Sequence, residues 1–236
     1  LVDPSKKEAD KLRASKKPVQ SHLQLVNLAA NKASDTKSAR SFSFSKASNY
    51  IAIHKRAGDS KADHSGSDLI LKDLKGDRTL NIGNVSSYAF NKEGTLFGYI
   101  VDADEDNGNG LYIIDLSDLR SWPMHTGANT YSQMTWNKNG DHVAVLFGNK
   151  EEGNMQRDNT LFWASGLMTG MSASNNQNTY TASGSSFPDD MVISEYGRLT
   201  WNENNTQLYF GIKEQQDEVK KSDMLKANVD VWHWKD

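Results

Sequence analysis

Cysteine is absent from all 236 residues, which excludes disulfides, thiolate nucleophiles and cysteine-based metal sites. It leaves the redox compartment open, because a cysteine-free chain suits either environment. Charge of one sign is lacking too: 27 Lys and Arg stand against 30 Asp and Glu, for a formal net charge of −3. So even a balance gives no electrostatic basis for nucleic acid or an anionic membrane as partner. No stretch approaches the roughly 20 apolar residues of a membrane span. A charged n-region, an apolar h-region and a cleavage site are missing from the start of the chain. The opening Leu1-Val2-Asp3-Pro4 has no initiator Met and is read as lying inside a longer polypeptide; a signal peptide further upstream stays open. Hydrophobic residues make up only 36%. That share suits many short strands joined by polar loops, with several small cores.

What is present is a repeat. Four segments align without gaps: Phe42-Ser43-Phe44-Ser45-Lys46, Tyr88-Ala89-Phe90-Asn91-Lys92, Met134-Thr135-Trp136-Asn137-Lys138 and Leu199-Thr200-Trp201-Asn202-Glu203. Each has a large apolar residue, a small one, an aromatic, then Ser or Asn and a charged residue. A turn follows (Ser48-Asn49, Glu93-Gly94, Asn139-Gly140, Asn204-Asn205), and then a second apolar run beginning near Tyr50, Leu96, His142 and Leu208. Alternating apolar residues around such turns predict antiparallel hairpins. A second motif recurs in phase. Leu23 to Leu28, Leu69 to Leu74 and Leu111 to Leu116 share apolar positions 1, 3 and 6 with Asn or Asp at 5, and Leu161-Phe162-Trp163 and Val229 to Trp234 are degenerate copies. The anchors at 44, 90 and 136 are 46 residues apart, within the ~40–50 residues of a four-stranded propeller blade. The fold class is therefore all-β: a partial β-propeller of about four to five blades of antiparallel sheet. Phe44, Phe90, Trp136 and Trp201 are expected to pack in the cores of successive blades, not to form a ligand cage.

Residues 1–20 read as a charged segment, a loop or frayed helix capped near Asp3-Pro4. Residues 21–236 read as blades, incomplete at both ends. A polar loop is expected over residues 55–66. A Ser/Asn/Thr-rich stretch from Ser172 to Asp190 and a charged linker from Glu214 to Asn228 account for the longer step between the anchors at 136 and 201.

Chemistry-bearing patterns are few. Asp102 to Gly110 places acidic residues at alternate positions before glycine, as a calcium loop does. The glycine arrives one place late, however, and Ile113 stands where a bidentate Glu is required; a solvated hairpin loop is the better reading. The six histidines, His22, His54, His64, His125, His142 and His233, include no His-x-His or His-Glu-x-x-His pair, and His142 and His233 lie in strand-like runs. No Gly-x-Ser-x-Gly elbow, P-loop or dinucleotide fingerprint occurs. No catalytic residue, cofactor-binding residue or metal ligand is assigned, and no cofactor is expected.

With these motifs in hand, the segment Ser67 to Leu116 resembles the N-terminal propeller of bacterial prolyl oligopeptidase family peptidases. Tyr131 to Glu151 resembles the blade that follows, and Val229 to Asp236 the start of a later one. The resemblance runs in continuous order over about residues 20–236, although the aromatic hairpin repeat is shared with TolB-like propellers. It implies a two-domain serine peptidase, with a propeller that gates access of short peptides to an α/β-hydrolase domain. The implied partners are that C-terminal hydrolase domain of the same parent chain and peptide substrates, and the implied location is periplasmic or secreted. No triad position carries over to any residue here, so the chain is expected to be non-catalytic. Two other readings stand beside it. One is a free-standing TolB-like scaffold; the other is an enzyme using its own channel through Asp102 to Asp106. An open arc is also expected to close on itself or self-associate, because its terminal blades leave apolar flanks uncovered.

Overall fold

The computed structural model describes residues 1–16, 19–57, 64–104, 108–170, 176–183 and 187–218. Helix α1 (Lys6–Ala14) is followed by strands β1 (Leu23–Asn27), β2 (Lys32–Thr36), β3 (Ala39–Phe44), β4 (Tyr50–Lys55), β5 (Ser67–Asp73), β6 (Thr79–Phe90), β7 (Leu96–Val101), β8 (Gly110–Asp115) and β9 (Ser121–Thr126). Then come β10 (Thr130–Trp136), β11 (His142–Asn149), β12 (Asp158–Ser165), β13 (Asn176–Thr181), β14 (Met191–Ile193), β15 (Thr200–Trp201), β16 (Leu208–Tyr209) and β17 (Ile212–Glu214). Helix α1 starts two residues later than expected. Ser5, not Asp3, is its cap: the Ser5 hydroxyl accepts from Glu8 N, and the Glu8 carboxylate accepts from Ser5 N at 3.1 Å. This reciprocal pair satisfies amides the helix itself leaves open. Only Ala9 of the helix is buried.

All strand pairings are antiparallel, and the strands group in fours. We label the positions in each group a to d. Blade one is β3, β4, β5 and the first part of β6. Blade two is the rest of β6 with β7, β8 and β9. Strand β6 serves both, since Thr79 to Ile82 pair with β5 while Val85 to Phe90 pair with β7. Asn84, at φ 55°, and a register shift beside Val85 redirect the strand between those duties. Blade three is β10 to β13. Segments β14–β15 and β16–β17 supply positions a and b of a further unit. The β1–β2 hairpin forms a two-stranded sheet of its own. The polar stretch after Ser172 thus contains a blade strand, since β13 pairs with β12 over six residues.

The cores lie between blades. Strand b is apolar on both faces because a neighbour covers each side. Ile51 and Ile53 of β4 pack toward Leu23, while Tyr50 and Ala52 pack with Leu69, Leu71, Phe97 and Ile114. Leu96 and Ile100 of β7 join Val143, Val145 and Phe162 of blade three, and Ala144 and Leu146 face Ile193 and Leu199. Trp136 sits in such a junction: its Nε1–H donates to Ala89 O at 3.2 Å, and a Cβ on Gly98 would lie 3.2 Å from its ring. Phe90, Trp136 and Trp201 are half-buried. Phe44 departs from the expected core role at 42% exposure, with Phe42 at 41%; the core under the β1–β2 hairpin gathers Leu23, Ala39, Ile51 and Ile53 and leaves both phenylalanines outside it.

The Ser or Asn after each anchor holds the turn. Asn91 Oδ1 accepts from Thr95 N and Leu96 N; Asn137 Oδ1 accepts from Gly140 N, Asp141 N and His142 N; Asn202 Oδ1 accepts from Thr206 N and Gln207 N; Ser45 Oγ accepts from Tyr50 N. Four residues after each anchor the backbone is left-handed, at Ser48, Gly94, Gly140 and Asn205. Successive turns also touch. Lys46 Nζ meets Glu93 at 2.6 Å, Asn91 Nδ2 donates to Gly140 O at 2.9 Å, and Lys138 N donates to Asn205 Oδ1 at 3.2 Å. These contacts form one rim of the arc. Among the described residues no helix is long and apolar enough to cross a membrane.

Candidate functional site

The antiparallel strand order puts the a-to-b turns at one end of the blades and the b-to-c and d-to-a connections at the other. At that second end buried polar side chains hold the crossovers into strand a. His54 Nε2–H donates to Val85 O at 2.8 Å, Asn109 Nδ2 to Asn129 O at 3.3 Å, and Asn159 Nδ2 to Ile193 O at 2.7 Å. His54 and Ser67 lie 2.9 Å apart, the separation of a nucleophile and its base. Their hydrogen bonds exclude that role. Nε2 carries the proton given to Val85 O, and the Ser67 hydroxyl donates to Lys55 O at 2.7 Å. Burial pushes the His54 pKa down, so the ring is a neutral structural donor.

The richest polar cluster joins blade three to the unit after it. Arg157, just before β12, donates through Nη2 to Ser132 Oγ at 3.0 Å and through Nη1 to Thr130 O at 3.4 Å. Its Nε stands 4.0 Å from Glu195 Oε1. Burial pushes the guanidinium below its ordinary pKa, and the Glu195 carboxylate opposes that shift. Asn159 Nδ2 also donates to Glu195 Oε2 at 3.0 Å. Gln133 occupies a bulge at φ 59°, which aims its amide so that Nε2 donates to Glu195 O at 2.8 Å. Arg157 Nε and Asn159 Oδ1 are buried without a hydrogen-bond partner, as are Ser86 Oγ, Trp122 Nε1 and Trp201 Nε1 elsewhere among the described residues. Both atoms are closed off from solvent, so the cluster joins the two units and offers no open binding face; among the described residues no proton-transfer or nucleophilic arrangement accompanies it.

None of these residues stood out in the sequence. Gln133 and Glu195 are 62 residues apart and Arg157 and Glu195 are 38 apart, and no local pattern joins them. Of the residues the sequence singled out, Asp102 accepts at Oδ2 from Ser65 N at 2.8 Å, and Asn109 Oδ1 accepts from Ala103 N at 2.7 Å. Both tie down the β7–β8 loop; its residues 105–107 lie outside the described residues. No group of three or more metal-ligating side chains assembles among the described residues. His142 stacks edge-on against Trp201 at 5.5 Å, and His125 shares a hydrogen bond with Tyr131 at 2.8 Å, where burial lifts the phenol to about 12. His233 and the Val229 to Trp234 motif lie outside the described residues.

No protein-family model and no curated protein matches the sequence. Solved structures do match. The dipeptidyl peptidase 4 of Porphyromonas gingivalis superposes at TM-score 0.56 and 12% identity, over 80% of this chain and 33% of that one. The chain is a partial β-propeller. It matches the tricorn protease at TM-score 0.47 and 6% identity, over 81% of this chain and 24% of that one. The β-propeller domain of the Trilobed protease from Pyrococcus furiosus gives 0.41 and 12%, over 73% of this chain and 54% of that one. The propeller spans about one third of the length of the dipeptidyl peptidase it resembles. Likeness at 12% identity establishes the fold alone, and that fold fits the propeller region implied by the sequence resemblance.

Proposed function

We propose that this propeller is the non-catalytic part of a larger serine peptidase of the prolyl oligopeptidase family, gating entry of short peptides to a hydrolase domain. One observation carries the reading: the chain builds consecutive propeller blades, while among the described residues the Ser–His pair at bonding distance is committed to backbone carbonyls. Propellers host many unrelated functions, so the gating role rests on the resemblance of Ser67 to Leu116 and Tyr131 to Glu151 to the peptidase propeller. The Arg157, Asn159 and Glu195 cluster lies buried at the junction between blade three and the unit after it, so its part in this reading is to hold neighbouring blades together.

The reading frame beyond Asp236 tests this directly. It is expected to hold about 250 or more residues with a Gly-x-Ser-x-Gly elbow between a strand and a helix. A stop codon soon after Asp236 favours a free-standing scaffold instead. The 236-residue chain alone is expected to leave a proline-containing peptide uncleaved.

A further inference from the structure

The β1–β2 hairpin has two strands where the complete blades have four, and the free edge of β1 carries a single bridge. Strand β1 carries the motif of β5 and β8, with Asn27 in the place of Asp73 and Asp115. The three side chains play the same part: Asn27 Oδ1 accepts from Ala30 N, Asp73 Oδ1 from Gly76 N, and Asp115 Oδ1 from Ser117 N. Strand β1 is therefore in position c and β2 in position d. Within the described residues the strand beside β1 on its other edge is reduced to one bridge, between Val2 and His22, which exchange backbone bonds of 2.8 and 3.0 Å. In blades one to three that edge is filled by strand b. Val2 lies where the last residues of strand b lie, and α1 occupies the b-to-c connection.

We propose that β1 and the exposed Phe42–Phe44 face take up an a–b hairpin of the same repeat, supplied by the residues immediately upstream of Leu1. This does not depend on the peptidase reading. The register makes it specific. In each complete blade the fourth residue of the c motif pairs with a strand-b residue, and that residue pairs in turn with the aromatic anchor seven positions before it. The sets are Lys72, Ile51 and Phe44; Ile114, Phe97 and Phe90; and Ala164, Val143 and Trp136. The corresponding residue of β1 is Val26. Continuing the Val2–His22 register pairs Val26 with the third residue upstream of Leu1, and so places an aromatic anchor at the tenth. Ser or Asn is expected next, at the ninth, and a residue tolerant of left-handed backbone at the sixth. The hairpin would cover Phe42 and Phe44 as blade two covers Met134 and Trp136.

Two measurements decide the matter. The first is the upstream coding sequence, expected to read aromatic, Ser or Asn, turn and apolar run in that register. Its absence overturns the proposal whether or not any variant folds. The second is amide hydrogen exchange on the 236-residue chain and on the same chain extended by 15 upstream residues. His22 bonds toward Val2, so alternation points the Gln24 and Val26 amides to the same edge. Those two are expected to slow by about 100-fold or more on extension, with Leu23 and Leu25, bonded toward β2, changing less. Equal exchange in both chains counts against the upstream hairpin. So does a 236-residue chain that is dimeric by mass and already protected there, because the edge then belongs to a second copy.

Discussion

Replacing Asn137 by Ala removes one buried side chain and unties a whole turn. Its Oδ1 accepts from Gly140 N at 2.8 Å and from Asp141 N and His142 N at 3.0 Å each, while its Nδ2 donates to Asp141 Oδ1 at 2.7 Å. Net hydrogen bonds are worth about 0.5–1.5 kcal/mol each, and a buried donor left unpaired costs more. With Asn137 only 3% exposed and part of the turn open to water, the expected loss is about 2–4 kcal/mol. For a chain of this size that corresponds to roughly 4–16 °C in Tm. The assay is urea denaturation followed by tryptophan fluorescence, since Trp136 adjoins the site. Asn202→Ala is the internal control. Its two backbone acceptances, at 2.8 and 3.1 Å, lie in an exposed turn, and about 1 kcal/mol is expected. Asn137→Asp keeps the acceptor but sets a carboxylate against Asp141, so its loss should shrink as the pH falls below about 4. A cost under about 1 kcal/mol for Asn137→Ala, or an equal cost for Asn202→Ala, would refute the turn-staple argument.

Gly94 has φ 70°, and a Cβ there would lie 2.8 Å from Lys46 N; Gly153 has φ 87° but open space around it. Gly153→Ala is expected to cost about 1 kcal/mol from left-handed backbone alone, and Gly94→Ala distinctly more, by the same denaturation measurement. The Asp73 carboxyl is held below its ordinary pKa chiefly by the amides of Gly76 and Lys75, with Arg78 adding to it. Its contribution is present above the unfolded value and fades as the pH falls through the folded one, so the stability gap between wild type and Asp73→Asn should close below about pH 4. Burial lowers the His54 pKa, so the unfolded chain binds more protons. Stability should then be full above about pH 6.5 and decline on acidification. His54→Phe should flatten part of that slope, and an unchanged slope would count against a neutral His54.

The hairpins, their turn residues and the phase of the blades were legible in the sequence, because each depends on near neighbours. Alternation along Tyr50 to Ile53 or Leu96 to Ile100 reports a strand whatever surrounds it. The Ser or Asn after each aromatic reports a turn that needs a side-chain acceptor. Strand β13 escaped notice because Asn176 to Thr181 is exposed along its length, and an edge strand without a buried face has no apolar period to reveal it. Tertiary structure alone decided which copies of the repeat were covered. Phe44 and Phe90 hold the same place in the motif, yet Phe44 lies open and Phe90 packs against Phe97 at 4.8 Å. It alone also brought Arg157, Asn159, Gln133 and Glu195 together at a junction between units. Burial and pairing between distant segments are set by which blade lies next to which, and a repeat that is the same in every blade does not encode that.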